Sequence, residues 1–180
     1  MCLPALDLQK AWWPASSSLL AWKKTSSRRS AALATRSVQA GGERKAIHFP
    51  HDADIGVCGI GPSLEAAFEQ AAFAMTGVIT DPAKINLREF VQIERAAPNA
   101  ELLLVDWLNA LIFEMATRGM MFGDFKVSID GCHLHGIATG EAISVERHKP
   151  AVEIKGATLT ELTVQEDRPG EWRAQCVVDV

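Results

Sequence analysis

Leu104, Trp107, Leu108, Leu111, Ile112 and Met115 recur at the helical period and form one apolar stripe. Asp106, Asn109 and Glu114 fall mostly off it. Pro98-Asn99 breaks the chain ahead of this helix, Arg118 suits the negative end of its dipole, and Gly119 is a natural cap. A stripe of this kind is core rather than a cofactor groove, so the rest of the chain must supply a layer that covers it.

That layer is β-rich. Phe125, Val127 and Ile129 alternate before Asp130-Gly131, and Cys132 to Ala138 returns as the partner of a hairpin. Val152, Ile154, Ala157 and Leu159 suggest a further strand, kinked at Gly156 and continuing through Leu162 and Val164. Arg168-Pro169-Gly170 turns into a last strand, Trp172 to Val180. Upstream, Ala46 to His51 and Ile55 to Ile60 are short strands about an acidic link, and Glu89 to Arg95 is another. Between them Ser63 caps a helix with Glu65 in its first turn. Leu64, Ala67, Phe68, Ala71, Ala72 and Met75 line one face of that helix, which ends near Ile79, and the small alanines allow close packing on a sheet. The order predicts an α+β domain, a mainly antiparallel β-sheet covered by two helices.

Charge divides the chain of 180 residues in two. Residues 1 to 46 hold eight Lys or Arg against Asp7 and Glu43, so the remaining residues carry the other 10 bases and 20 acids, a net charge of −10. Residues 1 to 45 read as a disordered basic tail or a spurious extension, and residues 46–180 as the domain. An acidic domain repels free nucleic acid, whose phosphates need clustered Lys and Arg. The stretch from Leu3 to Trp22 is interrupted by Asp7, Lys10, Pro14 and three serines, so no membrane span is expected. Cys2, Cys58, Cys132 and Cys176 form no CxxC pair, which fits reduced thiols in a cytoplasmic protein.

Two carboxylates stand at the edges of apolar runs near opposite ends of the domain, Asp54 in Asp-Ile-Gly-Val and Asp179 in Val-Val-Asp-Val. Singly, an Asp beside a turn and a terminal Asp are ordinary solvated residues. Converging, they offer hard oxygen ligands to a divalent ion, and the carboxylate of Val180 adds more. His133 and His135 share a strand face but have no matching second pair of ligands. Gly59-Ile-Gly61 lacks the rest of a dinucleotide fingerprint, and there is no nucleophile elbow, phosphate loop or HExxH. Glu141 reads as a turn acid, Arg147-His148 as a basic loop, and Asp81 before Pro82 as a turn initiator.

The ordered set of segments resembles the archease family across about residues 46 to 180. His51-Asp52-Ala53-Asp54-Ile55-Gly56 is similar to its opening His-Thr-Ala-Asp motif, followed by Leu64-Glu65-Ala66-Ala67-Phe68 and Thr80-Asp81. Asp106-Trp107-Leu108-Asn109, Gly140-Glu141, Arg147-His148, Glu153-Ile154-Lys155 and Val177-Val178-Asp179-Val180 complete the series. Asp52 replaces the usual Thr, and Leu159-Thr160 stands where many relatives carry Tyr-His. The resemblance implies an accessory protein, not an enzyme. Its partner would be the GTP-dependent RNA ligase of tRNA splicing, which joins 2′,3′-cyclic phosphate or 3′-phosphate ends to 5′-hydroxyl ends. The accessory protein would promote guanylylation of the ligase histidine and multiple turnover, and would meet RNA only through the ligase. It also implies a divalent metal, calcium in character, on Asp54, Asp179 and Val180, with Asp81 as an accessory acid toward the partner. The alternatives are a metal-dependent hydrolase and a chaperone-like modulator of RNA-modifying enzymes.

The polar, aperiodic composition of residues 1 to 45 offers little to bury. A chain begun near Lys45 is expected to keep the thermal midpoint of the full protein, as read by circular dichroism. A large loss would show that Trp12, Trp13 or Trp22 docks on the domain.

Overall fold

In a computed structural model, the structure describes residues 43–180. The elements in chain order are β1 (Lys45–His51), β2 (Asp54–Gly61), α1 (Leu64–Ile79), a 3₁₀ turn (Pro82–Lys84), β3 (Glu89–Ala96) and α2 (Ala100–Arg118). Then follow β4 (Met120–Asp130), β5 (His133–Ala142), α3 (Val145–His148), β6 (Gly156–Ala157), β7 (Thr163–Arg168) and β8 (Glu171–Asp179). All strand pairs are antiparallel. Where one sheet was expected, the described residues form two. One has the order β1-β2-β8-β6, with β7 also on β8, and the other has the order β3-β5-β4.

Local chemistry sets the helix ends. The Ser63 hydroxyl accepts the Ala66 N–H, the Asn99 side chain accepts the Leu102 N–H, and Gly119 closes α2 at φ 62°, a conformation that favours glycine. The expected helix faces are both buried. α1 lays Ala67, Phe68, Ala71 and Met75 against the larger sheet, and approaches so closely that a Cβ on Gly59 would lie 2.1 Å from the Ala67 carbonyl oxygen. The GxG segment thus serves helix packing rather than a phosphate. α2 buries Leu103, Leu104, Leu108 and Leu111, each contributing about 1.5–3 kcal/mol of transfer free energy.

The expected strand over residues 152–164 is mostly irregular. Only Gly156 and Ala157 pair, and Thr163–Arg168 is a separate strand. Pro150 has no N–H to donate, and despite the alternation of Val152 and Ile154 with charged Glu153 and Lys155 the segment forms no continuous ladder. It is held instead by individual bonds, among them Ala151 N–H to Ile79 O and Lys155 N–H to Asp179 O. The first two strands run as a hairpin from Lys45, one residue earlier than the expected boundary, and Arg44 ion-pairs with Glu69 of α1. Asp52 takes the turn at φ 45°, where Asp is better tolerated than the β-branched Thr usual in the resembled motif.

Trp107 is the best-enclosed large side chain of α2, with no solvent exposure. Its ring lies on the middle strand of the smaller sheet, where a Cβ on Gly136 would come within 2.2 Å of it. It makes a T-shaped contact with Phe125 at 6.4 Å between centroids. Trp107→Ala is expected to cost about 3–5 kcal/mol. Gly136→Ala should cost about 1–3 kcal/mol through overpacking. Urea unfolding of the two variants checks both figures, and a Trp107→Ala effect near zero would contradict the packing.

Candidate functional site

The register of the larger sheet brings the two acids together. His51 pairs with Asp54 across the β1–β2 hairpin, and Ile55 pairs with Val178 between β2 and β8. Carried one residue outward, the second ladder sets Asp54 opposite Asp179. Residues so opposed point to the same sheet face, with Cβ atoms roughly 4.5–5.5 Å apart. His51, Asp54 and Asp179 therefore form a row across three strands, on the face turned away from α1, because Val57, Ala174, Cys176 and Val178 fill the other face. Gly56 follows on this outer face, under the ring of Phe49. The Nδ1 atom of His51 is buried and has no hydrogen-bond partner among the described residues.

On the far side of β8, Gly156 pairs with Asp179, and the Lys155 ammonium donates to Val180 O at 2.9 Å and stands 3.7 Å from Asp179 Oδ1. This short strand is fixed by a residue that sequence reasoning set aside as lying off the apolar stripe. The Asn109 amide donates to Ala157 O at 3.2 Å and accepts from Ala157 N–H at 2.9 Å. Asn109 satisfies both backbone groups of Ala157 from the helix side and so holds Lys155 beside the chain terminus. Its one sequence signal was a polar side chain next to a buried stripe. Asp81 instead caps the 3₁₀ turn by accepting the Ala83 N–H at 3.1 Å, and no hydrogen bond or ion pair among the described residues ties it to Asp54 or Asp179. Nor do the described residues contain a group of three or more Asp, Glu, His or Cys side chains able to hold an ion. Beside the acid pair stands the main-chain oxygen of Val180, the acceptor of the Lys155 ammonium.

The remaining polar candidates sort plainly. His133 and His135 are exposed, the latter 3.5 Å from Glu94. Cys58 and Cys176 are buried thiols; burial raises the former and pushes the latter up to about 12, so neither is a nucleophile at neutral pH.

Glu141 corrects the expectation of a turn acid beside a basic loop. Its side chain is almost wholly enclosed. It accepts from Asn86 N–H at 2.8 Å and Asn86 Nδ2 at 3.0 Å, pairs with Arg147 at 3.1 Å, and meets His148 Nε2 at 3.2 Å. The Ser144 N–H points at His148 Nδ1 at 3.0 Å, so that nitrogen accepts and Nε2 carries the proton donated to Glu141. The Thr80 hydroxyl in turn donates to the His148 carbonyl. The carboxylate thereby staples the loop after α1 to α3 and the chain leading to Lys155. Residue 86 is too far from 141 and 148 in sequence for spacing to reveal this.

The bonds from Asn86, then those from His148 and the Arg147 charge, hold the Glu141 carboxyl at about 2 against an ordinary 4.5. A depressed carboxyl stabilises the fold fully above its unfolded value, so the contribution is complete above pH 4.5 and fades as pH falls toward about 2. Glu141→Gln is expected to lower the urea midpoint at pH 7 and to differ less from wild type at about pH 2.5. An unchanged gap between the two proteins across that range would show that the carboxylate charge is not what the network uses.

Comparison with known proteins adds a consistent result. The Archease protein family matches residues 47–180. The protein archease of Pyrococcus furiosus is 39% identical over 137 residues, which is 74% of this chain and 96% of that protein. That of Methanothermobacter thermautotrophicus is 36% identical over 136 residues, covering 73% of this chain and 96% of its own length. Among solved structures, the solution structure of Methanobacterium thermoautotrophicum protein 1598 superposes with a TM-score of 0.65 at 33% identity, covering 75% of this chain and 98% of that one. The crystal structure of an archease from Thermotoga maritima, described as a possible chaperone, gives 0.50 at 22% identity over 77% of this chain and 98% of that one, a likeness of fold alone. The chain belongs to the archease family.

Proposed function

We propose that this protein is a metal-binding accessory factor that activates the GTP-dependent RNA ligase of tRNA splicing, promoting its guanylylation and repeated turnover. One observation carries the reading: the β2–β8 register, carried one residue past Ile55 and Val178, opposes Asp54 to Asp179, next to Val180. Three further features support an ion there. The donors are hard oxygens, the type that calcium prefers. A cation, the Lys155 ammonium, already stands at the Asp179 and Val180 oxygens. The buried, unpartnered His51 Nδ1 beside Asp54 is the kind of polar atom that a hydrated ion satisfies.

Asp54, Asp179 and Val180 would hold the ion, which when bound supplies a fixed positive charge on an otherwise acidic domain. Lys155 balances the same oxygens when the ion is absent. The excess of acid over base in residues 47–180 suits approach to a basic RNA-binding groove, so the ligase is bound directly and RNA only through it. Asp81, exposed at its turn, is placed in this reading as an accessory acid toward the ligase. The setting is cytoplasmic, and no described helix is long and apolar enough to cross a membrane.

Asp54→Ala and Asp179→Ala are each expected to abolish stimulation of multiple-turnover ligation while leaving the fold intact. With calcium at a hundredfold its dissociation constant, wild type gains about 2.7 kcal/mol, a rise of roughly 5–10 °C in midpoint. Either variant should gain much less, and so should a chain extended past Val180. Variants that respond to calcium and activate the ligase like wild type would sink the assignment. Ligation by this protein alone, with GTP and RNA but no ligase, would instead favour a metal-dependent enzyme.

A further inference from the structure

The two edges of the smaller sheet are treated differently. In its order β3-β5-β4, the outer edge of β4 is closed by α1: the Val127 N–H donates to Glu69 Oε1 at 3.1 Å, and the Thr76 hydroxyl donates to the Phe122 carbonyl at 3.0 Å. Nothing among the described residues closes β3 in this way. The Ala97 N–H bonds to the Cys132 carbonyl, so with the β3–β5 register the odd-numbered residues of β3 turn their backbone groups toward β5. Phe90, Gln92 and Glu94 therefore turn theirs outward. A side-chain bond agrees with this: the Glu94 carbonyl accepts from the Arg95 guanidinium at 2.7 Å, for want of a neighbouring strand. Phe90 is 64% exposed, and Glu89, Gln92, Glu94 and Arg95 are exposed as well.

We propose that β3 pairs with β3 of a second copy of this chain, antiparallel about a two-fold axis at Gln92, joining the two three-stranded sheets into one. Among the antiparallel registers that let the outward groups of Phe90, Gln92 and Glu94 bond to one another, this one also satisfies the charges. Gln92 faces the partner's Gln92, and Phe90 and Glu94 exchange backbone bonds across the axis. Glu89 falls opposite the partner's Arg95, at a position without backbone bonds, where side chains come closest. The contact is isologous, so this ion pair forms twice and the assembly closes as a dimer. Moving the axis two residues to Glu94 opposes like charges, and moving it to Phe90 sets Glu89 against Val91 and loses both ion pairs. Glu89 and Arg95 thus act as edge charges that disfavour indiscriminate pairing and favour the register about Gln92. In the dimer the Glu94 carbonyl takes the partner's Phe90 N–H, which frees Arg95 to reach the partner's Glu89.

Sedimentation velocity of the full chain, over a range of concentrations and with reductant because Cys132 is exposed, tests this without the ligase or a metal. The expected result is a concentration-dependent dimer. Glu89→Arg and Arg95→Glu should each weaken it about tenfold or more, and the two swaps together should restore it to within about threefold. Hydrogen exchange gives a second reading: the amides of Phe90, Gln92 and Glu94 should exchange more slowly as the protein is concentrated. A monomer at every concentration, or a dimer that all three variants form as wild type does, overturns the proposal.

Discussion

The pairing of β2 with β8 is the constraint on which the remaining structure depends. It brings the start of the domain to its end, and closing a loop of more than a hundred residues costs on the order of 4 kcal/mol in chain entropy, beyond the constant for any closure. No local contact offsets that cost. It is offset by burial on the inner face, where Val57, Ala174, Cys176 and Val178 meet the alanine face of α1. Because Asp54 and Asp179 lie just past this ladder, they oppose each other only when it is complete. A ligand that bridges them would favour the closed ladder by mass action, so occupancy of the site and integrity of the seam are linked.

The second organising element is a buried charge. Glu141 sits where β5 ends, and the chain around it has little regular structure to hold it. A carboxylate in such a place is costly unless every lone pair is used. Here it is used by a backbone N–H, an amide, an imidazole and a guanidinium drawn from two separate segments. The strength of these bonds is the reason irregular backbone at residues 143–155 can be placed at all. That backbone delivers Lys155 to the Asp179 and Val180 oxygens, with Asn109 fixing the last step. The outer-face acids thus rest on a polar frame more than on the apolar core.

What sequence could reveal follows from the range of the interaction. α2 was legible because its stripe, the Asn99 cap and the Gly119 stop lie within one segment, and the same holds for the Ser63 cap and the Asp130-Gly131 hairpin. The division into two sheets was not, since it depends on which strands meet across the chain. Residues 150 to 155 carry strand-like alternation yet form no ladder, because Pro150 and the staple at His148 constrain their path. Glu141 was misjudged for the same reason: its partners are 55, 6 and 7 residues away and have no period. Asp54 and Asp179 could be paired as a hypothesis from their settings at strand edges, while their alignment required the register.

Charge ties these levels together. A domain with twice as many acids as bases must spend its few cations with care, and the described ion pairs show where they go. Arg44 holds Glu69, which in turn closes the edge of β4; Arg147 holds Glu141; Lys155 holds Asp179 and the Val180 oxygen. In each case the cation stabilises an acid that organises backbone, rather than forming a surface pair of little worth. Arg95 has no such role: among the described residues it bonds only to the carbonyl of its own neighbour on an unclosed edge. A cation held so lightly, three strand positions from the centre of a self-complementary sequence, is consistent with an edge kept available for another strand.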